Sequence, residues 1–480
     1  MDAVAWSFIL YTAAIMACGV YSARYSRNTT SDFFLADRGL SAWVAALSSS
    51  ASAESGWVTL GLVGMAYSTG VGALWIIPGT VLAFLFNWFV LAEPLRRISI
   101  ETGAITFPEV LAVRFRGRAA ALIRLVAVAI ILSMLTAYVA AQFNAAGKAF
   151  RGTFEWSYAP GVWLGFGIVA VYTLAGGFRA VAWTDVVQAC FMVAAVIVLP
   201  IVLIADLGGP GEMWSRLQAL EGGESLTDGL AGKSGIMVVG FLAVWFGIPL
   251  GYPGQPHILL RCMATRDRAA VRRAGIISTV WVLFLFAGAV MLGIAARAAY
   301  GLEVLGDPEQ ALPHAALDLL PAPLAGVVIA AVLAAICSTA DSQLLVSAST
   351  VSHDLYAALL GRKPSEQGKV LLDRAAVALI AIVALVIALG EVRVIFDFVL
   401  YAWDGLGASF GPALILVLLW KRATGWGVLA GMAAGVTTAV VWRETLHPHL
   451  YSLIPAFAAA MLVAVVVSLA TRASDPGGRS

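Results

Sequence analysis

Nine small or polar residues interrupt an apolar stretch near the start of the chain, and this interruption restricts the fold more than any other feature. The sequence SSSASAESG, residues 48–56, lies between the apolar segments 43–47 and 57–63. An apolar stretch of this length is typical of a membrane span. Irregular backbone at membrane depth is tolerated only where protein encloses it or where it lines a wet cavity. The interruption therefore predicts a broken helix beside such a cavity, as in the ion and substrate sites of secondary transporters.

The composition is that of a protein surrounded by lipid. Apolar residues make up 61% of the 480 residues and charged residues 12%, whereas a soluble domain carries about 25% charged residues. The first apolar segment has no basic residues before it and no cleavage site after it, so we expect a retained helix. The hydropathy pattern predicts thirteen spans, near residues 3–22, 41–66, 72–95, 119–149, 160–177, 181–205, 234–257, 271–299, 322–352, 372–391, 395–420, 424–442 and 449–471.

The basic residues predict the orientation in the membrane. Alternate loops hold 23 of the 30 Lys and Arg residues, and loops enriched in this way face the cytoplasm. The opposite loops hold the other seven, which are Lys148, Arg151, Arg216, Lys233, Arg297, Arg393 and Arg443. We therefore expect the N-terminus outside the cell and the C-terminus in the cytoplasm, with an odd number of spans.

A second interrupted span lies five spans after the first. Residues 247–256, with the sequence GIPLGYPGQP, contain three prolines and three glycines. They cannot continue one regular helix, because each proline removes a hydrogen-bond donor and clashes with the preceding turn. Broken spans that are five apart run in opposite directions, which predicts two inverted repeats of five spans. Since the two halves show no residue-by-residue repetition, this prediction depends on the topology and the breaks alone.

These features predict a single transmembrane domain over residues 1–480. Its expected parts are a first helix and inner loop at 1–40, a first inverted repeat at 41–205, an outer loop at 206–233, a second inverted repeat at 234–420, and two C-terminal helices with a short tail at 421–480. The outer loop is long enough for a short surface helix around residues 213–217.

Motifs of other functional classes are missing from the sequence. It has no HExxH zinc motif and no Gly-x-Ser-x-Gly nucleophile elbow, so we expect neither an enzyme nor an organic cofactor. It has no basic tract of the kind that binds nucleic acid. The cysteines have neither metal nor disulfide spacing and are expected to be buried free thiols. They are Cys18, Cys190, Cys262 and Cys337.

Longer motifs occur in order along nearly the whole chain. They are ALSSSAS and SGW within 46–57, GGF and WTDVVQ within 176–188, GQPHIL with Arg261 within 254–261, STADSQLL at 338–345, and YAW, GLG and FGP within 401–412. Together they resemble the sodium:solute symporter family, and most closely its bacterial sodium/proline branch. The resemblance implies an all-α integral membrane protein with the LeuT-type five-plus-five inverted repeat and about 13 transmembrane helices. It also implies sodium-coupled symport of an amino acid or a related small amine-bearing solute across the bacterial cytoplasmic membrane.

The resemblance implies a sodium site between the first break and the ninth span. The expected ligands are the backbone carbonyls of Ala51, Glu54 and Ala335 and the hydroxyls of Ser338 and Thr339. Sodium is a hard cation that prefers oxygen, and a hydroxyl pair on a membrane helix can face unwound backbone. The alternative is that the two hydroxyls only form hydrogen bonds between helices.

Some members of this family bind a second sodium ion at the inner end of the sixth span. The residues at that place are Asp185, Ser338, Asp341 and Ser342. An acid inside a membrane is a functional candidate, because burying it unpaired is costly. The alternative for Asp185 is a structural ion pair with a loop arginine such as Arg179.

The resemblance places substrate contacts at the two breaks and in the fourth span. The matching residues are Ser55, Gly56, Trp57, Tyr138, Tyr252 and Pro256. The helix that begins after the first break would present free N–H groups to a carboxylate. The two tyrosines would cap an apolar or amine group, and packing is the alternative for each.

The chain departs from the proline branch around this pocket. Ala53 replaces an acid, Glu54 replaces an apolar residue, Ile248 replaces a tryptophan, and Asp404 replaces a small residue. Our hypothesis is that Glu54 and Asp404 lie near one cavity without a basic partner, where they receive a positively charged substrate group or exchange protons. The alternatives are that Glu54 reaches water away from the site and that Asp404 caps the end of a span.

The expected mechanism is alternating access by a protein that functions as a monomer. Two other functions stay open, namely proton-coupled uptake and a sensor that binds solute without net flux. A channel is less consistent with the sequence, because a pore does not require two broken helices in inverted repeats.

Overall fold

The computed structural model describes residues 3–23, 30–154, 157–302, 304–359, 366–390, 395–446 and 450–471. Within these ranges the chain is almost entirely helical, and the one β contact is an isolated bridge between Leu40 and Thr265. The all-α architecture is therefore confirmed.

Long helices account for most of the chain. They are Ala3–Ala23, Gly117–Phe154, Tyr158–Asp206, Arg268–Tyr300, Ala322–Ser349, Glu366–Ala388, Ile395–Leu419, Gly425–Thr445 and Leu453–Ala470. The shorter helical segments are Thr30–Leu35, Ala36–Arg38, Gly70–Trp75, Ile76–Phe86, Asn87–Leu91, Ala92–Thr102, Phe107–Ala112, Pro210–Ala219, Gly223–Thr227, Pro308–Gln310, Ala311–Leu319 and Thr350–Leu359. The outer-loop helix expected around residues 213–217 is confirmed as part of Pro210–Ala219.

Ten helices in the described chain are long and apolar enough to cross a membrane, and two shorter apolar helices accompany them. One of the ten, Trp57–Thr102, has 46 residues and would measure about 69 Å if it were straight. This is more than twice the thickness of the hydrocarbon core. It changes direction at Gly70, where φ is +72°, so it provides more than one span. The total of thirteen spans stays a prediction.

The outer surface of the bundle is apolar. Large aliphatic side chains on separate helices are exposed over more than half of their area, among them Leu82, Ile201, Val386 and Leu462. A soluble protein rarely exposes apolar patches of this extent. The chain is therefore a multi-pass integral membrane protein whose outer surface contacts lipid.

The first interrupted element, here called the first broken helix, covers residues 42–69. Its α-helical half begins after the N-cap residue Ser41 and ends at Ala53, and Glu54 then takes a non-helical conformation at φ −106° and ψ 80°. The chain resumes as a π-helical turn at Trp57–Leu62 and continues as Val63–Thr69. The break lies within the small polar sequence, as predicted.

The second interrupted element, here called the second broken helix, covers residues 236–264. It runs as Ile236–Gly247, tightens to a 3-10 helix at Ile248–Gly254, and restarts at Pro256 after the extended residue Gln255. Proline is well suited to a first helical position, where its missing N–H has no partner to lose. Both predicted breaks are therefore present.

Gly177 separates the fifth and sixth predicted spans. The single helix Tyr158–Asp206 contains this residue at φ +59° and ψ −165°, and a Cβ there would lie 2.8 Å from the ring of Phe33. Only glycine tolerates both constraints. The predicted division between 160–177 and 181–205 is confirmed.

Arginine side chains tie together connections on one side of the bundle. Arg38 donates to the carbonyls of Ser99 and Ala104, and Arg96 donates to those of Thr265 and Arg266. These connections belong to the arginine-rich set that the sequence assigns to the cytoplasm. Their close association is consistent with a common face.

Two expectations about individual residues are wrong. Cys262 and Cys337 are buried free thiols, but Cys190 is exposed and Cys18 is partly exposed, because both lie on the outer surfaces of their helices. Lys148, which was assigned to an outer loop, lies inside helix Gly117–Phe154 and is buried.

Gly251 allows the second broken helix to approach helix Ile395–Leu419 closely. A Cβ at Gly251 would lie 1.9 Å from Nε1 of Trp403. That nitrogen donates a hydrogen bond to the carbonyl of Ile248, at 2.8 Å. A side chain at position 251 would therefore displace the indole and break this bond.

We expect Gly251→Ala to lower the melting temperature of the detergent-solubilised protein, because overpacking a tight contact costs about 1–3 kcal/mol. The matched control is Gly229→Ala in the outer loop, where a Cβ would meet no atom within 4 Å. Thermal unfolding of both variants checks the prediction. Equal melting temperatures would show that the two helices are not held at this distance.

Candidate functional site

Two hydroxyls on helix Ala322–Ser349, here called the Ser-Thr helix, contact the end of the first broken helix. Ser338 Oγ donates to the carbonyl of Ala51 at 3.0 Å and to that of Ala335 at 3.2 Å. Thr339 Oγ1 donates to the carbonyl of Ser52 at 3.2 Å. The structure thus brings together four of the five predicted sodium ligands, and Ser52 is a neighbouring oxygen that the sequence did not indicate.

This oxygen cluster has the chemistry of a site for a small hard cation. Ala51 and Ser52 lie in the last turn of an interrupted α-helix, where unpaired carbonyls carry partial negative charge. A hydroxyl has two lone pairs besides its proton, so rotation of the O–H directs oxygen toward a cation. Ala51, Ser52, Ser338 and Thr339 are all fully buried, so water does not compete for their oxygens. The contact predicted for the Glu54 carbonyl stays a prediction.

Several polar side chains surround the start of the helix that follows the first break. The Gly56 N–H donates to Gln142 Oε1 at 3.1 Å, and the Trp57 N–H donates to Ser55 Oγ at 3.2 Å. Ser55 Oγ lies 3.4 Å from the hydroxyl of Tyr138. The predicted residues Ser55, Gly56 and Tyr138 are therefore neighbours. Gln142 was missed, although a polar amide one helical turn after Tyr138 in an apolar helix was a usable signal.

Tyr252 joins the two breaks. Its hydroxyl donates to Glu54 Oε1 at 2.6 Å, so the carboxylate of the first broken helix binds the 3-10 segment of the second. Its ring lies edge-on to the rings of Phe84 and Trp403, each at a centroid distance of 4.9 Å. Glu54 is completely buried, so the alternative that it reaches water away from the site is wrong.

Trp57 and Pro256 have packing roles in the structure. The Trp57 ring lies edge-on to Phe286, with centroids 5.9 Å apart. Pro256 is buried at the first position of the helix that follows the second break, directly after Gln255. The Gln255 side chain donates to the carbonyls of Gly251 and Trp403, at 3.3 Å each.

The predicted substrate residues at the breaks and in the fourth span are buried inside the bundle. Trp57 is 2% exposed and Tyr252 1%, and Tyr138, Glu54 and Ser55 are fully buried. Access to this region therefore requires movement of the surrounding helices, as in other proteins that close around a ligand.

Asp185 belongs to a buried network beneath the oxygen cluster. Its Oδ2 accepts from Ser48 Oγ at 2.6 Å, from Ser52 Oγ at 3.3 Å and from Arg261 Nη2 at 3.1 Å. Asp185 and Arg261 are both fully buried. The sequence assigned Arg261 to an inner loop, but it lies in the helical segment Pro256–Ala264.

The structural ion pair considered as the alternative for Asp185 is present, but its partner is Arg261 and not Arg179. Arg179 binds Asp32 instead, with Nη2 2.5 Å from Oδ1. Ser342 Oγ accepts from Arg261 at 2.5 Å and donates to Asp341 Oδ1 at 3.0 Å. Asp185 and Ser342 of the predicted second ion site therefore bind the guanidinium group of Arg261. Asp341 and the Ser338 carbonyl are connected to it through the Ser342 hydroxyl. A second sodium ion at this place stays a prediction, and it would share Asp185 with that arginine.

Asp404 has partners away from the two breaks. Its carboxylate oxygens accept hydrogen bonds from Tyr451 and Ser452, near the start of the last helix. Arg443 Nη1 lies 3.8 Å from Oδ2. The expectation that Asp404 lacks a basic partner is therefore wrong, because three groups from the C-terminal helices already satisfy its charge.

A second buried ion pair lies near the C-terminal end of helix Gly117–Phe154. Lys148 Nζ is 2.7 Å from Glu309 Oε2 and 3.2 Å from Asp307 Oδ2. Gln310 also donates to the Lys148 carbonyl, at 3.3 Å. The helix that provides Tyr138 and Gln142 to the break is thus fastened to the segment 307–310.

Two interrupted helices that meet inside an apolar bundle, with a buried oxygen cluster at one break, define a secondary transporter. A family model described as the sodium:solute symporter family matches residues 33–435. The chain belongs to this family, so it is a transporter with a small-molecule substrate and not an enzyme.

The chain is similar along nearly its whole length to several curated proteins. It is 38% identical over 463 residues to the high-affinity proline transporter PutP of Bacillus subtilis, with 96% of each chain covered. It is 34% identical over 481 residues to the sodium/proline symporter of Escherichia coli, with 97% of this chain and 93% of the relative covered. The resemblance to the proline branch is therefore confirmed.

Solved structures confirm the fold. A Na+-coupled sialic acid symporter in a substrate-bound, outward-open state superposes with a TM-score of 0.83 at 18% identity, and all of each chain is covered. Mhp1, a nucleobase-cation-symport-1 family transporter, gives 0.57 at 14% identity, with 92% of this chain and 94% of Mhp1 covered. The architecture is the LeuT-type five-plus-five inverted repeat.

We expect Asp185→Asn to lower the melting temperature strongly, because removing one partner of a buried ion pair leaves an uncompensated charge and costs about 3–5 kcal/mol. The control is Glu212→Gln, which removes an exposed pair with Arg216 of little energetic value. The double variant Asp185→Asn with Arg261→Met should recover part of the loss. An Asp185→Asn protein as stable as the control would show that Arg261 does not depend on this carboxylate.

Proposed function

We propose that this protein is a sodium-coupled symporter that carries a small amino acid into the cell by alternating access, with proline as the first candidate substrate. Family membership supports sodium-coupled transport, and the two relatives described above are named as proline transporters. The observation that carries the proposal is the contact of Ser338 and Thr339 with the carbonyls of Ala51 and Ser52.

In this proposal sodium binds where these oxygens converge. When sodium binds, the hydroxyls of Ser338 and Thr339 no longer donate to the carbonyls of Ala51 and Ser52. The hydroxyl and carbonyl oxygens contact the sodium ion instead, which links the first broken helix to the Ser-Thr helix. A linked pair of helices holds the adjacent break in one conformation, which raises the affinity for substrate. Thermodynamic reciprocity requires substrate to raise the affinity for sodium by the same factor.

The proposed substrate position lies between the two breaks. The helix that begins after Ser55 directs its first amides, those of Gly56 and Trp57, toward this position, and helix N-termini favour anionic groups. The substrate carboxylate would replace Gln142 and Ser55 as acceptors of these amides. Tyr138, Tyr252 and Pro256 would then enclose the rest of the solute.

The proposed setting is the bacterial cytoplasmic membrane, with the N-terminus outside and the arginine-rich connections in the cytoplasm. Inward movement of one sodium ion along the membrane potential then provides about 2.3 kcal/mol per 100 mV, in addition to its concentration gradient. The proposal needs one copy of the chain, because both breaks and the Ser-Thr helix lie in a single protomer.

Uptake of labelled proline into proteoliposomes tests the function. We expect uptake under an inward sodium gradient, and none when potassium replaces sodium. Uptake driven by a proton gradient without sodium would contradict sodium coupling. Binding of proline without accumulation would favour a sensor, and accumulation of another amino acid alone would exclude proline as the substrate.

We expect Ser338→Ala and Thr339→Ala each to raise the sodium concentration for half-maximal uptake by about tenfold or more, because each removes one oxygen from the proposed ion site. The matched control is Ser349→Ala on the same helix, whose hydroxyl donates only within its own helix, to Val346, in the described contacts. An unchanged sodium dependence in both site variants would contradict the proposed ion site.

A further inference from the structure

Glu54 has one satisfied carboxylate oxygen and one unsatisfied one. Oε1 accepts the hydroxyl of Tyr252 at 2.6 Å, whereas Oε2 has no hydrogen-bond partner in the described part of the chain. The residue is completely buried. A buried carboxylate oxygen without a partner is costly, so a protein keeps one where a ligand supplies the missing donor.

The buried cations of the described chain are engaged elsewhere. Arg261 binds Asp185 and Lys148 binds Glu309. Arg297 lies over the ring of Tyr67, 5.4 Å from its centroid. No ion pair to Glu54 occurs within the described ranges, in contrast to Asp185 and Asp404. Glu54 therefore differs from Asp185 and Asp404 in lacking a protein cation.

The position of Glu54 determines what can reach it. The residue forms the break itself, with the carbonyls of Ala51 and Ser52 before it and the amides of Gly56 and Trp57 after it. A solute with its carboxylate at those amides has its α-amine within the same break.

We propose that Glu54 Oε2 binds the protonated amine of the substrate, so that the transporter selects amino acids over carboxylates that lack an amine. This inference rests on the proposed function and adds to it the residue that recognises the substrate amine. One sodium ion, one Glu54 carboxylate and one zwitterionic amino acid sum to zero net charge. Burying a set of groups with no net charge in the membrane interior costs less than burying a net charge.

Competition against labelled proline uptake tests the proposal, with unlabelled proline compared to its analogue in which oxygen replaces the ring N–H. In the wild-type protein we expect proline to compete at least about 30-fold better, because the analogue leaves the carboxylate unpaired. In Glu54→Gln, which keeps an acceptor for Tyr252, the preference should fall to within about threefold. A Glu54→Gln protein that keeps the full preference overturns the proposal.

Two control variants separate charge from packing. Asp404→Asn removes a buried acid that already has protein partners and should keep the preference for proline. Tyr252→Phe removes the hydrogen bond to Oε1 but leaves the carboxylate, so the preference should persist even though uptake weakens. If Tyr252→Phe loses the preference for proline as fully as Glu54→Gln does, the proposed role of the Glu54 charge is wrong. It is also wrong if Glu54→Gln changes only the sodium dependence of uptake.

A second measurement uses the wild-type chain and does not depend on the folding of any variant. Proline should slow modification of Glu54 by a hydrophobic carbodiimide, measured by mass spectrometry of the peptide that contains it. Absence of protection at saturating proline overturns the inference. Absence of proline uptake by the wild-type protein is a different result, because it rejects the proposed function itself.

Discussion

The structure depends on backbone carbonyls that lie at the end of an interrupted helix, inside an apolar bundle, and have no partner within that helix. Such groups cost several kcal/mol each if nothing binds them. Here the carbonyls of Ala51 and Ser52 are bound by Ser338 and Thr339, two adjacent residues on a facing helix. The helix can therefore end at Ala53, and the next residues become available for contacts that a continuous helix would not permit.

Three buried acids in this protein are paired with basic side chains. Asp185 is matched by Arg261, Glu309 by Lys148 and Asp32 by Arg179. Pairing of this kind holds segments together, because separating either partner exposes an uncompensated charge. Glu54 differs from these three acids, because its carboxylate accepts a hydrogen bond from the Tyr252 hydroxyl and forms no ion pair within the described ranges.

The sequence predicted the two breaks well, because both have local causes. Clustered serines with a glycine, and three prolines within ten residues, disrupt a helix wherever it lies. The partners of the buried charges were not predictable in this way. Arg261 and Lys148 were counted as loop residues because nothing local marks a basic side chain as buried. Their carboxylates are 76 and 161 residues away in the sequence, so only the tertiary fold identifies these pairs. The partners of Asp404 were missed for the same reason, since Tyr451 and Ser452 lie just before the last helix.

Consecutive residues on helix Ile395–Leu419 link the pocket to the end of the chain. Trp403 packs against Tyr252, which holds Glu54, while the adjacent Asp404 binds Tyr451 and Ser452. The last two helices are thus connected to the junction of the two broken helices through a single peptide unit. Lipids, fusion tags or truncations that loosen these terminal helices would consequently disturb the contact between Tyr252 and Glu54, even though none of them comes near it.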